Sequence, residues 1–305
     1  LATNVLGELT AITTNDGSLS FKNSYYQEAY HDINGARKES MEKFIAPAEI
    51  NRFLNIPTIR VLDVCVGLGY NLGCLVEEIL ETPISINWWG LEIDQRPMST
   101  ALKNKAFRKS WHSSVLEVLE STSDIGNWEK GRSHGKVIWG DARKTIDLIP
   151  SSDKFDLIFQ DAFSPRKCPN LWTEEFLKRL AKRLAPNGRL ITYSSSASIR
   201  GSLLRAGLTL RSIKPETSSK EKWSLGTTAI LPSLNQEEEA QTKTLRPLTR
   251  MEKEHLKTSA GVPFRDPSGC GSVEEILKRR EKEQIEADLP STSSWKKRWN
   301  LMQSR

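Results

Sequence analysis

"VLDVCVGLGYN", residues 61–71, decides the fold. An apolar run of strand type passes directly into a turn holding Gly67 and Gly69, and the helical pattern "NLGCLVEEILE" follows. Without a Cβ, backbone at these two positions can approach a ligand closely or adopt positive φ. A dinucleotide fingerprint requires Gly-x-Gly-x-x-Gly, whereas here the third glycine, Gly73, comes one position late. A lone Gly-x-Gly also occurs for packing alone, so the neighbouring strands carry the argument.

From residue 59 onward, strand runs alternate with helical ones. "IRVLDVC", "ISINWWGLEI", "GKVIWGD", "FDLIFQD" and "GRLITYS" are separated by helical segments that include "TEEFLKRLAKRL". Such alternation predicts right-handed crossovers and a doubly wound α/β sheet covered by helices on both faces. A last helix near "SASIRGSLLRAG" precedes "LTLRSIK" and "SLGTTAILP", two strand runs placed to form a terminal hairpin across a polar loop. Upstream, "TAITTNDGSLSFK" alternates around Asp16-Gly17, the dipeptide of a tight β-hairpin, and a helical stretch then closes at Pro47. The expected division is an N-terminal β element and lid over 1–56, the α/β domain over 57–232, and a charged linker with a helical extension over 233–305.

Ligands of parallel α/β sheets bind beyond the carboxyl ends of the strands. Glu92 ends its strand where a carboxylate can accept from ribose hydroxyls, and Asp141 ends the next, where an adenine amino group would sit. Either acid alone is an ordinary helix N-cap; together with the glycine turn they predict an adenosine site. Asp63, Gly67, Gly69, Asn71, Glu92, Asp141 and Ala142 form the candidate cofactor set. S-adenosylmethionine fits this set better than a nicotinamide dinucleotide, and the terminal hairpin is a frequent ending of the class I (Rossmann-like) methyltransferase fold. Asp161, at the tip of "FDLIFQD", then faces the same crevice. There it can accept a hydrogen bond from an attacking amine and aim the lone pair, although an ordinary aspartate near ~3.9 is too weak a base for an alkylammonium.

The 305 residues carry a net charge of +6, with the excess spread along the chain, which favours an acidic partner such as RNA. The hydrophobic fraction of 37% includes no uninterrupted apolar run of membrane-spanning length. Cys65, Cys74, Cys168 and Cys270 show no paired spacing, and the four histidines are scattered, so neither a disulfide framework nor a metal site is expected, and a reducing cytoplasm is. The sequence starts at Leu1, so its natural N-terminus is expected to lie elsewhere or to arise from an unusual start.

"DAFSPRKCPNLWTEEFLKRLAKRLAPNGRLITYSSSASIRGSLLRAGL" resembles the methyltransferase domain of the MnmC family, and "YYQEAYHDINGARKESMEKFI" is similar to that family's entry segment. The likeness runs from about residue 13 to 232. It implies S-adenosyl-L-methionine-dependent methylation of the aminomethyl group on tRNA wobble 5-aminomethyl-2-thiouridine, with Asp161 as the catalytic residue. It also implies the stand-alone form, without the FAD-dependent oxidase, and the tRNA anticodon arm as partner. Cys65 departs from the family, standing where a first glycine is common, which is tolerable if it faces the strand interior.

A flipped base is held by stacking and by polar contacts. Phe163, Ser164, Pro165, Trp172, Tyr30 and His31 are the expected substrate contacts, and Tyr26, Tyr30 and His31 serve either as a lid over the cofactor or to pack the N-terminal hairpin on the sheet. Arg166, Lys167 and Arg200 are expected near the mouth as phosphate contacts, and "LKRR" and "WKKRW" on the tail as a further grip. Two other readings stay open: an aminopropyltransferase of spermidine-synthase type, and a non-catalytic RNA-binding module.

Overall fold

In the computed structural model, which describes residues 6–215, 224–232 and 242–301, the Asp16-Gly17 turn joins β1 (Leu9–Thr13) to β2 (Leu19–Asn23) as an antiparallel hairpin. Gly17 takes φ +83°, and Asp16 Oδ1 accepts from the Thr14 hydroxyl (2.7 Å) and the Ser18 amide (2.9 Å), so the turn is fixed by its own side chains. A two-residue strand, β3 (Glu28–Ala29), completes a small sheet. The following helical stretch is not uniform: α1 (Ala36–Ser40) passes into a π-helical turn over Met41–Ile45 and then α2 (Ala46–Ala48). Such widened turns favour functional sites, and this one carries Lys43 to a cavity wall.

The main body then runs β4 (Thr58–Val64), α3 (Tyr70–Ile79), β5 (Ser85–Glu92), α4 (Arg96–Ala101), α5 (Lys105–Lys109), α6 (Ser113–Asp124), β6 (Asn127–Lys130) and β7 (Ser133–Trp139). It continues through α7 (Ala142–Thr145), β8 (Phe155–Gln160), α8 (Glu174–Lys182), β9 (Leu184–Thr192), α9 (Ala197–Arg205), β10 (Thr209–Ile213) and β11 (Gly226–Ile230). After it come β12 (Leu245–Pro247), α10 (Arg250–His255), α11 (Val273–Glu286) and α12 (Thr292–Arg298).

The nine-stranded sheet has the order β12-β10-β11-β9-β8-β4-β5-β7-β6, with β7, β5, β4, β8 and β9 mutually parallel. Its central strands are apolar on both faces, as a doubly covered parallel sheet requires. Along β4, Ile59 and Val61 enter the core on one side and Leu62 and Val64 the core on the other. β10 and β11 form the expected antiparallel hairpin, most of whose loop (216–223) lies outside the described residues, as does most of the expected charged linker (233–241). Successive strands leave β4 in opposite directions, so the topological switch lies between β4 and β8. This is the class I methyltransferase fold.

The chain beyond 232 does more than extend the body: β12 adds an edge strand to β10, and α10 brings Glu252 against α9. There the structure corrects one expectation. Arg200 does not face the mouth; its side chain is buried and donates to Thr227 Oγ1 (2.8 Å), Ser224 Oγ (2.8 Å) and Glu252 Oε1 (3.0 Å). Burial alone would raise the Glu252 carboxyl, but Arg246, the Thr249 backbone and Arg200 outweigh it and hold it at about 2. A buried guanidinium so enclosed cannot reach a phosphate.

Candidate active site

Beyond β4 the chain enters a left-handed turn: Cys65 takes φ +69°, Gly67 +56° and Gly69 +88°, the last opening α3. A Cβ at Gly67 would come within 3.3 Å of the Tyr30 ring. Cys65 reaches the same left-handed region with a side chain, a conformation that costs roughly 1–2 kcal/mol. Its side chain is partly buried against the core and also lines both lobes of the crevice described next. The Gly67 amide donates to Glu92 Oε2 (2.9 Å), while Glu92 Oε1 accepts from the Ile93 (2.7 Å) and Asp94 (2.8 Å) amides. Strand tip and turn are thus fastened together by one carboxylate.

The crevice has two lobes with a common boundary at Tyr26, Cys65, Glu92, Ile93, Cys168 and Leu171. The outer lobe, about 490 Å³, holds Asp141 and Ala142. Asp141 caps α7 through the Arg143 amide (2.9 Å) and also chelates the Arg143 guanidinium, with Nη2 2.8 Å from Oδ2. Part of its hydrogen-bonding capacity is therefore already used. The inner lobe, about 350 Å³, holds Asp161, Gly67, Tyr30, His31, Phe163 and Ser164.

Asp161 follows β8 directly, and its amide donates to the Val64 carbonyl (3.1 Å) across the switch point. Its Oδ2 accepts from Asn71 Nδ2 (2.9 Å), and Asn71 Oδ1 accepts from the Ser40 hydroxyl (2.8 Å). Ser40 thereby fixes which way the amide points. Asn71, expected among the cofactor contacts, is spent on holding Asp161 and lies behind the cavity wall. Asp63 also lies behind it, fully buried with no hydrogen bond to either carboxylate oxygen; the unpartnered indole N–H of Trp88 is its polar neighbour.

The loop after Asp161 is pinned on three sides. Trp172, expected to stack on substrate, is fully buried; its indole N–H donates to the Phe163 carbonyl (2.7 Å) and its ring meets Tyr193 edge-on at 5.8 Å. It supports the loop from below because the apolar surface between β8 and α8 needs a large side chain there. The Ser164 amide donates to Glu28 Oε2 (2.9 Å), latching the loop to β3. Tyr193 donates to the Ala162 carbonyl (2.8 Å). Phe163 lies parallel to Tyr26, with centroids 4.3 Å apart and planes 23° apart, and edge-on to Tyr30 at 4.8 Å. Pro165 is half-buried and lines neither lobe.

Charge in the inner lobe is lopsided. Glu28, Asp32, Glu39, Glu92, Asp94 and Asp161 line it, against Lys43 and His31 as its basic side chains. Burial first, then the Glu39 and Asp63 charges, push the Asp161 carboxyl well above the usual range, in spite of Asn71 and Lys43. Burial and the Glu92 charge push Asp63 up to about 7. Burial lowers His31 to about 4, and its Nδ1 pairs with the Ser20 hydroxyl (2.9 Å), so it is neutral at ordinary pH. Lys43 and Glu39 form an ion pair (2.7 Å) that sequence reasoning missed, since nothing in "ESMEKFI" announces a π turn. Tyr193 was within reach of the rule that found Asp161, being the residue after β9.

A cationic sulfonium nucleoside suits this crevice. Glycine backbone at Gly67 leaves room for close approach, Glu92 bridges the two lobes, and the acids lining the inner lobe outnumber its basic side chains, an excess of negative charge that a cation would offset. Gly67, Glu92, Asp141 and Ala142 are the expected cofactor residues that the fold brings to the cavity walls. On the exposed side, Arg280 of "LKRR" donates to the Val262 (2.9 Å) and Ala260 (3.1 Å) carbonyls. In "WKKRW", Trp295 is buried and stacked on His255, while Lys296 and Lys297 remain exposed. No helix among the described residues is long and apolar enough to cross a membrane.

Residues 103–228 match a family described as S-adenosyl-L-methionine-dependent methyltransferase. The crystal structure of MnmC2 from Aquifex aeolicus superposes with a TM-score of 0.74 at 29% identity, covering 92% of this chain and 86% of that one. An uncharacterised protein of Methanocaldococcus jannaschii is 31% identical over 210 residues, 67% of this chain and 55% of its own length. The tRNA 5-methylaminomethyl-2-thiouridine biosynthesis bifunctional protein MnmC of Pseudomonas entomophila is 35% identical over 202 residues, 62% of this chain but 30% of its own length. The chain therefore spans just over half of the first of these relatives and under a third of the second. Fold, crevice and likeness agree: the chain is an S-adenosyl-L-methionine-dependent methyltransferase of the MnmC-like family.

Proposed function

We propose that the chain methylates the amine of the aminomethyl group on tRNA wobble 5-aminomethyl-(2-thio)uridine, in the cytoplasm, with Asp161 as the catalytic residue. The observation that carries this reading is the inner lobe, in which the partly buried Asp161 carboxyl shares the wall with the aromatic cluster of Tyr26, Tyr30 and Phe163 and with Glu28 and Glu39. A flipped planar base suits the aromatic cluster, and its primary ammonium suits the acids. Bound at Gly67 and Glu92, the cofactor would supply a methyl group on a sulfonium, a carbon already activated toward a nitrogen lone pair.

The protein's own residues then have three tasks. The acidic wall draws in the ammonium. The half-buried tyrosines strip its water, and desolvation favours the neutral, reactive amine. Asp161, oriented by Asn71 and Ser40, accepts a hydrogen bond from the nitrogen and directs its lone pair; positioning of this kind contributes up to roughly 7–11 kcal/mol in favourable cases. Because burial raises Asp161, it is also a better match for an ammonium proton than an exposed aspartate is. Arg166 and Lys167, exposed on the loop after Pro165, are suited to phosphate contacts, and the anticodon arm is the proposed partner.

The test is incubation with S-adenosylmethionine and tRNA carrying 5-aminomethyl-2-thiouridine, followed by mass analysis of the wobble nucleoside. One added methyl on that nucleoside is the expected result. Normal binding of S-adenosylhomocysteine with no methyl transfer to this tRNA would refute the substrate, and product formed from polyamines and decarboxylated cofactor would replace it with aminopropyl transfer.

A further inference from the structure

One wall of the outer lobe comes from outside the methyltransferase sheet. Gly271, Ser272, Val273 and Glu274 line it, facing Gly140, Asp141 and Ala142 at the tip of β7. They belong to the turn that leads into α11 and to the first residues of that helix, more than thirty residues past β11.

What holds this turn in place is a single arginine with two faces. On one side Arg143 chelates Asp141, through Nε (3.1 and 3.2 Å) and Nη2 (2.8 Å). On the other, Nη1 donates to Asp266 Oδ2 (3.1 Å) and to the Gly271 carbonyl (2.9 Å). Asp266 is buried and organises the turn from within, accepting from the Ser268 hydroxyl (2.7 Å) and the Gly271 amide (3.1 Å). The start of the turn is tied to α8: the Asp266 amide donates to Glu175 Oε2 (2.8 Å), and the Glu174 amide donates to the Phe264 carbonyl (2.9 Å). The lobe thus enclosed has apolar faces from Leu91, Ile93, Leu171 and Val273 and polar edges from Asp141, Asn170 and Ser272. A purine nucleoside, flat and apolar with hydrogen-bonding edges, has the chemistry of that lining.

We propose that the 266–274 turn is the outer wall of the cofactor's adenosine subsite, so that the C-terminal segment is part of the cofactor site and Arg143 couples the two. The inference rests on the assignment as an S-adenosylmethionine-dependent enzyme and not on the tRNA substrate. Its consequence is reciprocal: cofactor that contacts the turn also holds it, so binding and ordering of the turn share one coupling free energy.

The experiment uses the full chain and S-adenosylhomocysteine as the probe, with calorimetric affinity and amide hydrogen exchange over 266–274 as readouts. Val273→Trp fills the lobe from the turn without touching the Arg143 brace, and Asp266→Asn loosens the turn without filling the lobe. The expected results are binding weakened by about tenfold or more in Val273→Trp at an unchanged ligand-free melting temperature, and by about three- to tenfold in Asp266→Asn. The probe slows exchange of the turn in the parent, and less so in Asp266→Asn. Both variants binding within about twofold of the parent, with exchange of the turn indifferent to the probe, would overturn the inference. Should Asp266→Asn fail to fold, Val273→Trp decides alone. A parent that binds no probe removes the methyltransferase assignment and this inference with it, whereas a parent that binds with full affinity alongside indifferent variants removes this inference only.

Discussion

Replacing Asp161 by Asn separates orientation from charge. The Asn side chain keeps an oxygen to accept from Asn71 Nδ2, so the Ser40–Asn71 chain stays intact and the shape of the lobe is preserved. What disappears is the carboxylate. A hydrogen bond to a charged group is worth about 1.5–3 kcal/mol, and since each ~1.4 kcal/mol is tenfold in rate, kcat should fall by about 10- to 150-fold. Affinity for neutral S-adenosylhomocysteine should not fall, because the variant removes a buried charge that the thioether does not balance. Stability moves the other way from activity. The folded-state pKa of Asp161 lies above its unfolded value near 3.8, so the stability it contributes is fully present below ~3.8 and is lost as pH rises through the folded value. Asn cannot ionise and escapes that loss. Urea unfolding of the ligand-free proteins should therefore coincide in acid and diverge in alkali, with the variant the more stable. A variant that turns over at the parental rate, or is less stable than the parent in alkali, would refute the reasoning.

Glu252→Gln should cost about 3–5 kcal/mol near neutral pH, because it leaves Arg200 buried without its counter-charge. The Glu252 pKa is depressed to about 2 from 4.5, so its contribution is present above ~4.5 and lost as pH falls through about 2; urea midpoints of parent and variant should converge over that window. Trp172→Phe keeps the ring but leaves the Phe163 carbonyl without its donor, for an expected loss of about 1–3 kcal/mol in thermal unfolding and a fall in kcat/KM from a looser loop. Asp63 should make cofactor discrimination pH-dependent. As it ionises through about 7, preference for the sulfonium cation over S-adenosylhomocysteine should rise, and Asp63→Asn should flatten the calorimetric profile.

The parallel strands were legible because a buried central strand is a continuous apolar run, and the strand-tip rule then located Glu92, Asp141 and Asp161 without knowledge of any contact. The rule could not tell wall from support. Asn71 and Trp172 sit in the right motifs, yet one is consumed by Asp161 and the other by the core, because direction around a helix turn depends on packing partners distant in sequence. Arg200 was misplaced for a similar reason: its partner Glu252 lies 52 residues further on. β12 left no signal, being three residues that end in proline and pair only at a sheet edge, where a missing N–H is tolerated. Lys43 reaches the lobe from a π turn, paired with Glu39 near the end of α1, and the whole stretch reads in sequence as ordinary helix.

The electrostatics of the crevice make sense only with its ligands considered. Asp63, without a hydrogen bond, is raised by burial and the Glu92 charge, and Asp161, held by Asn71, is raised by burial and the Glu39 and Asp63 charges, an arrangement that weakens the ligand-free fold above mild acidity. A sulfonium and an alkylammonium entering together would bring two positive charges to two buried carboxyls, and each cation would favour the other's site by ionising the acids between them. Yet two cations side by side repel, and that repulsion also lowers the ammonium pKa, favouring the neutral amine that reacts. On the proposed substrate, the same pair of acids would both recruit the charged acceptor and tolerate its loss of a proton, which a single exposed aspartate at the same strand tip would not do.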